Sequence, residues 1–173
     1  MQWTPFLKIS TATITLMLAA CNNYSVSVNN NTVYTPAGLF KDYSIADSHL
    51  QDCVQQTIAD KHITKVEELK QLNCSNAGIS SLSGLEKFYR LEQLNLTENK
   101  LDSIAPLAEL TQIKTLILRK NALTSAEPLL HLMHLRELDI SENGKLTCGD
   151  LNQLKTNFHN GELKIALPEQ CKG

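Results

Sequence analysis

The chain has 173 residues, the length of a single domain. Its 16 basic and 18 acidic residues leave a net charge of −2, which excludes a broad basic face for nucleic acid, and 42% apolar with 20% charged residues excludes a compositionally disordered chain. No run of 18 apolar residues occurs, so an ordinary membrane-spanning helix is excluded too.

In chain order, the first predicted element is an export signal. Lys8 precedes an apolar stretch from Ile9 to Ala20, diluted by Ser10, Thr11, Thr13 and Thr15. As a helix that stretch rises only about 18 Å, too short for roughly 30 Å of hydrocarbon and typical of the apolar core of a signal peptide. It ends in Leu18-Ala19-Ala20-Cys21. This closely resembles the lipobox of bacterial lipoproteins. The resemblance implies removal of residues 1–20 and acylation of Cys21, which would hold the protein on a membrane through several lipid chains. Asn22, rather than Asp, follows the cysteine. In the sorting scheme of Gram-negative lipoproteins that implies the outer membrane, facing either the periplasm or the outside.

Residues 22–46 are rich in Asn, Ser and Tyr and poor in Leu, and are read as a tether. An ordered alternative is a hairpin, with Tyr24–Val28 and Thr32–Thr35 as strands and Asn29–Asn31 as the turn. Residues 47–68 are read as a helical N-terminal cap. Ser48-x-x-Gln51 has the form of a capping box, Leu50, Cys53, Val54, Thr57 and Ile58 follow at helical spacing, and Thr64-x-x-Glu67 suggests a second helix start.

The middle of the chain repeats. Twenty-one of the 28 leucines lie between Leu69 and Leu154. Residues 69–90, 91–112 and 113–134 align as 22-residue units, and a partial fourth runs to 146. The second unit reads Leu91, Leu94, Leu96, Asn99, Leu101, Ile104, Leu107, Leu110, and the third matches it from Ile113 to Leu132. The first is looser, with Ala77 in the Asn place, and the fourth slips one residue at Leu146. The pattern L-x-x-L-x-L-x-x-N-x-L is the leucine-rich-repeat signature. Alternation in L-x-L buries one face of a short strand, and each repeat adds one strand to a parallel sheet. Asn99, Asn121 and Asn143 should form a ladder satisfying backbone groups at the turn. Ala105-Pro106-Leu107 and Glu127-Pro128-Leu129 fit short 3₁₀ starts on the convex side. The repeat length and these prolines resemble the internalin-type class of bacterial leucine-rich repeats. The expected fold is therefore an α/β solenoid of about 3.5 repeats, with a helical cap before it and a disulfide-closed cap, 147–173, behind it. The C-terminal cap contains Leu151, Leu154 and Phe158.

With Cys21 acylated, Cys53, Cys74, Cys148 and Cys171 remain, and four cysteines in an exported chain suggest two disulfides out of three possible pairings. Cys53 lies on the apolar face of the cap helix and Cys74 at an inward strand position, so a cap-to-core bond is plausible, leaving Cys148–Cys171 to close the other end. Cys74–Cys148 would span three strand spacings, about 14 Å, against the 7 Å a disulfide allows.

Little in the sequence suggests chemistry. His131-x-x-His134 is better read as two solvated histidines than as a metal site. The carboxylates are scattered, no phosphate loop or nucleophile elbow is present, and no cofactor is implied. The expected function is non-enzymatic protein binding by a monomer. The candidate surface is the concave sheet face: Gln71, Asn73 and Ser75 in repeat one, Gln93, Asn95 and Thr97 in repeat two, Thr115, Ile117 and Arg119 in repeat three, and Glu137, Asp139 and Ser141 in repeat four. Arg119 is the expected anchor, with Ile117 as its apolar neighbour. Glu98, Lys120 and Glu142 fall in one column, which predicts pairing between repeats. The alternatives are a glycan or peptidoglycan contact by the polar face, and an accessory subunit packed into an envelope assembly by its convex side.

Overall fold

The computed structural model describes residues 26–28, 31–34, 37–158 and 163–172. The expected signal segment and the acylation site at Cys21 lie outside them. Two compact units divide between Ala37 and Gly38. The first contains an antiparallel hairpin, β1 (Val26–Val28) and β2 (Asn31–Tyr34). Asn31, expected in the turn, instead opens β2 opposite Val28, and the register shifts between Val26 and Ser27.

The second unit is a stacked series of one-strand repeats. Helix α1 (Ser48–Asp60) leads into strands β3 (Gln71–Asn73), β4 (Gln93–Asn95), β5 (Thr115–Ile117) and β6 (Glu137–Asp139). Helix α2 (Gly149–Asn157) and a fifth strand, β7 (Lys164–Ala166), complete it. The five strands form one parallel sheet in sequential order. Leu72, Leu94, Leu116 and Leu138 stand in register and all are buried, so the 22-residue spacing translates directly into one stacked layer per repeat. Each such leucine side chain, removed from water, contributes roughly 1.5–3 kcal/mol. On the convex side, Ala105–Glu109 and Glu127–His131 are 3₁₀ turns with proline in their second positions, where no backbone N–H is needed.

The asparagine ladder links the layers. Asn99 donates from Nδ2 to Cys74 O and Leu96 O, both at 2.9 Å, and its Oδ1 accepts from Ala77 N and Ile79 N at 3.2 and 3.0 Å. Asn121 and Asn143 repeat the pattern onto Leu96 and Leu118 of the preceding repeats. Repeat one can carry Ala77 because Asn99 reaches back and satisfies that turn. Beside each turn sits a residue with left-handed backbone: Asn76, Glu98, Lys120 and Glu142, with φ of 54–57°. These residues steer the chain off the strand and round to the convex side.

The caps depart from expectation in three places. The N-cap of α1 is Asp47, not Ser48; its Oδ1 accepts from His49 N and Leu50 N at 3.0 Å. Aspartate serves because its Oδ2 also reaches the first repeat, accepting from Ser80 N, Ser80 Oγ and Ser81 N. The helix start expected at Thr64 is a single 3₁₀ turn, Val66–Glu68, and the returning carboxylate is Glu68 rather than Glu67, bonding Thr64 N at 2.8 Å. Residues 38–46, read as tether, belong to the domain. Ile45 is buried, Phe40 N bonds Ile63 O, and Phe40 and Tyr43 pack edge-on against the buried Phe88. Gly84 makes room for this strap: its φ is +97°, and a Cβ there would lie 2.2 Å from Ser44 O.

Disulfides tie both caps to the stack. Cys53–Cys74 joins α1 to the first layer with Cα atoms 5.8 Å apart, and Cys148–Cys171 closes the far end at 5.4 Å. Strand β7 had no counterpart in the sequence reading, because Leu163–Leu167 alternates without the following asparagine.

Candidate functional site

Each of β3, β4, β5 and β6 leaves its first and third residues exposed or half-buried on the concave side and buries the second. Register therefore builds two rows: Gln71, Gln93, Thr115 and Glu137, extended by Lys164, and Asn73, Asn95, Ile117 and Asp139, extended by Ala166. Ser75, Thr97, Arg119 and Ser141 follow two residues on. The structure brings the sequence-derived residues Gln93, Asn95, Thr97, Thr115, Ile117, Arg119, Glu137, Asp139 and Ser141 onto one face, and none of them is buried.

The rows are not equally free. Asn73 Oδ1 accepts from Ser75 N, Asn95 Oδ1 from Thr97 N and Oγ1, and Asp139 Oδ1 from Ser141 N and Oγ. Three side chains of the second row thus each spend their Oδ1 on their own turn. Repeat three breaks the pattern, since Ile117 has no acceptor to offer. Arg119 takes the next position and forms an ion pair from Nε to Glu142 Oε1 at 2.6 Å. The hydrogen bond and charge of Glu142 hold the guanidinium pKa above its usual value. This corrects the expected charge column. Lys120 does meet Glu98, at 3.4 Å, but Glu142 turns to Arg119 instead, and all three members sit on left-handed turn residues rather than strands.

The face divides by charge. Its N-terminal half holds a depression of about 300 Å³ lined by Gln71, Asn73, Gln93, Asn95, Thr115 and Ile117, with Lys61 at its rim. Glu137, Asp139, Arg119 and Glu142 crowd the C-terminal half. Along the strand starts runs a separate ion-pair column, Lys70–Glu92–Lys114, at 3.8 and 2.6 Å. Bonding to Lys114, and then its charge, lowers the Glu92 pKa. On the convex side, His131 lies 3.7 Å from Glu127 and the His134 ring meets Thr111 O at 3.0 Å, so the two histidines address different partners. Among the described residues no group of three metal-ligating side chains is assembled, and no helix is long and apolar enough to cross a membrane.

The stack, its ladder and its convex 3₁₀ turns define a leucine-rich-repeat protein. A family model for two leucine-rich-repeat copies matches residues 67–109. The sequence has no significant match among curated proteins. Among solved structures, it is similar to an internalin from Listeria monocytogenes, with TM-score 0.57 and 21% identity over 71% of this chain and 36% of that one. Internalin C2 from the same species gives TM-score 0.55 and 21% identity over 64% of this chain and 54% of the other. The chain spans between about a third and half of those proteins, and at this identity the likeness is one of fold.

Proposed function

We propose that the repeat domain is the non-enzymatic protein-binding module of a bacterial envelope lipoprotein, acylated at Cys21 after removal of residues 1–20, anchored in the outer membrane, and meeting its partner with the concave face. The observation that carries this reading is the in-register array of eight polar or apolar side chains, from Gln71 to Asp139, held on a disulfide-closed stack. A rigid array presents its groups without ordering cost at binding, which favours affinity. Ile117 supplies the one apolar contact among polar neighbours. The Nε bond to Glu142 holds the Arg119 fork in place while using one of its edges.

Two experiments test the reading. Mass spectrometry of membrane-extracted protein should find acylated Cys21 as the first residue; an intact N-terminus or an unmodified Cys21 refutes the lipoprotein assignment. Affinity capture from envelope extract should identify one protein. Arg119→Ala with Ile117→Ser should weaken its binding at least about tenfold, near 1.4 kcal/mol. The convex control, His131→Ala with His134→Ala, should leave it intact. Loss only in the convex pair would instead support an accessory subunit packed by its convex side.

A further inference from the structure

The two edges of the parallel sheet are treated differently. At β3 the outward backbone groups belong to Gln71 and Asn73. Lys61 Nζ donates to Gln71 O at 3.1 Å, and the Cys53–Cys74 bridge lies against Asn73 O, with Sγ 3.3 Å away. That edge is covered. At β7, Lys164 N bonds Arg136 O and Ile140 N bonds Ala166 O, so Lys164 and Ala166 face β6 and Ile165 faces out. Among the described residues nothing bonds the Ile165 N–H or C=O. Its side chain and those of Leu163 and Leu167 are only half-buried, whereas the inward leucines of the four preceding strands are 2% exposed or less. A depression of about 710 Å³, lined by Ile165, Leu167, Pro168, Ser141, Glu142 and Gln170 among others, adjoins the edge. Unpaired strand edges of this kind recruit another strand.

We propose that β7 pairs antiparallel with β7 of a second copy of this chain, about a two-fold axis at Ile165. In Leu163-Lys164-Ile165-Ala166-Leu167 the large apolar residues stand symmetrically about Ile165, so an isologous contact centred there sets apolar against apolar on one face. Centred on Ile165, the pairing exchanges two main-chain hydrogen bonds between the Ile165 residues and sets Ile165 against Ile165 on the core face. Each Leu163 then meets the other copy's Leu167. On the concave face each Lys164 meets the small Ala166, so no like charges stand opposite, and Glu137 lies beside Lys164 on the neighbouring strand of its own sheet. The contact continues the sheet and leaves the concave rows open, so it is independent of where a partner protein binds. It replaces the monomer expected from the sequence.

Register makes the proposal testable. Lys164 and the facing Ala166 form a non-hydrogen-bonded pair, with Cα atoms about 4.5 Å apart, within disulfide reach. The two Lys164 residues lie diagonally, about 7–8 Å apart, beyond it. Full-length Lys164→Cys and Ala166→Cys chains, carrying different epitope tags, would be co-expressed in a bacterial envelope, oxidised mildly and run without reducing agent. A species carrying both tags is expected, at least about tenfold more abundant than the dimer of either variant alone. Maleimide labelling of each variant shows that the thiols are accessible, and peptide mapping shows that both native disulfides persist. With those controls met, absence of the mixed dimer overturns the proposal. Equal cross-linking in the single variants also overturns it, because the register would be wrong. Cross-linking of either thiol to a different envelope protein would assign the edge to another protein's strand and overturn the self-pairing.

Discussion

The two ends of the stack solve one problem with similar chemistry and different geometry. Each cap closes a loop of about 20 residues with a disulfide, and each clamps the adjoining turn with an aspartate. Asp47 holds Ser80 and Ser81; Asp150 accepts from Ser125 Oγ at 2.8 Å and Ala126 N at 3.0 Å. The N-terminal end then lays a helix, a lysine and a bridge over the sheet edge. The C-terminal end instead adds a strand and moves the edge outward by one. The lesson is that sealing an apolar core and sealing a sheet edge are separate tasks. Side chains suffice for the first; the second needs groups that bond the backbone itself.

The largest effect expected from breaking this comparison is loss of a bridge. Cys53→Ala with Cys74→Ala should cost roughly 2–5 kcal/mol in urea unfolding, as should Cys148→Ala with Cys171→Ala. Only the first pair should also loosen its sheet edge, seen as faster amide exchange in β3, because its sulfur lies against that edge. Unchanged exchange in β3 would show that α1 and Lys61 cover the edge without the bridge.

Next in size is the N-terminal clamp. The Asp47 carboxyl is disfavoured as an anion by burial, but the bonds from Ser80, Leu50 and Ser81 outweigh that and lower its pKa from 3.8 to about 2. A depressed folded pKa stabilises the fold above the unfolded value and is lost as pH falls through the folded one. Asp47 should therefore contribute about 2 kcal/mol at neutral pH, vanishing between about pH 4 and pH 2. Asp47→Asn should lower stability at pH 7 and flatten the acid limb of the unfolding profile over that window. An unchanged acid limb would place the acid-sensitive group elsewhere.

A smaller effect should follow at the strap. Gly84→Ala sets a Cβ against Ser44 O at a positive φ, which should cost about 1–3 kcal/mol and expose Tyr43. Thermal unfolding followed by tyrosine fluorescence measures both. The smallest effect is expected at the far end. Gln170→Ala removes bonds from Nε2 to Asn143 O and Leu146 O, at 2.9 and 3.2 Å, for about 1 kcal/mol in the same assay.

Much of the repeat domain was legible because its information is local and periodic. Leucine spacing dictates which side chains turn inward, and a fixed asparagine signals a turn with unpaired backbone. A proline in the second position marks a convex 3₁₀ start. The same periodicity put the concave residues on one face. It carried no signal for which of them would be spent on each other: Asn95 and Asp139 on their own turns, Arg119 on Glu142. Those choices depend on side chains brought together from different repeats. The left-handed positions had a trace, one residue before the ladder position in each repeat, but Glu98, Lys120 and Glu142 do not look like residues chosen for such a backbone.

By itself, then, the sequence determined the solenoid, its stacked layer of leucines, the asparagine ladder and the two bridges, because each follows from the period or from a distance limit that the period imposes. Only the tertiary structure decided the remaining features: the strap over Gly84, the double duty of Asp47, the strand β7 and its open edge. Each of these rests on contact between segments distant in the chain, and such contacts are set by how the layers and caps pack, not by the pattern within any one of them.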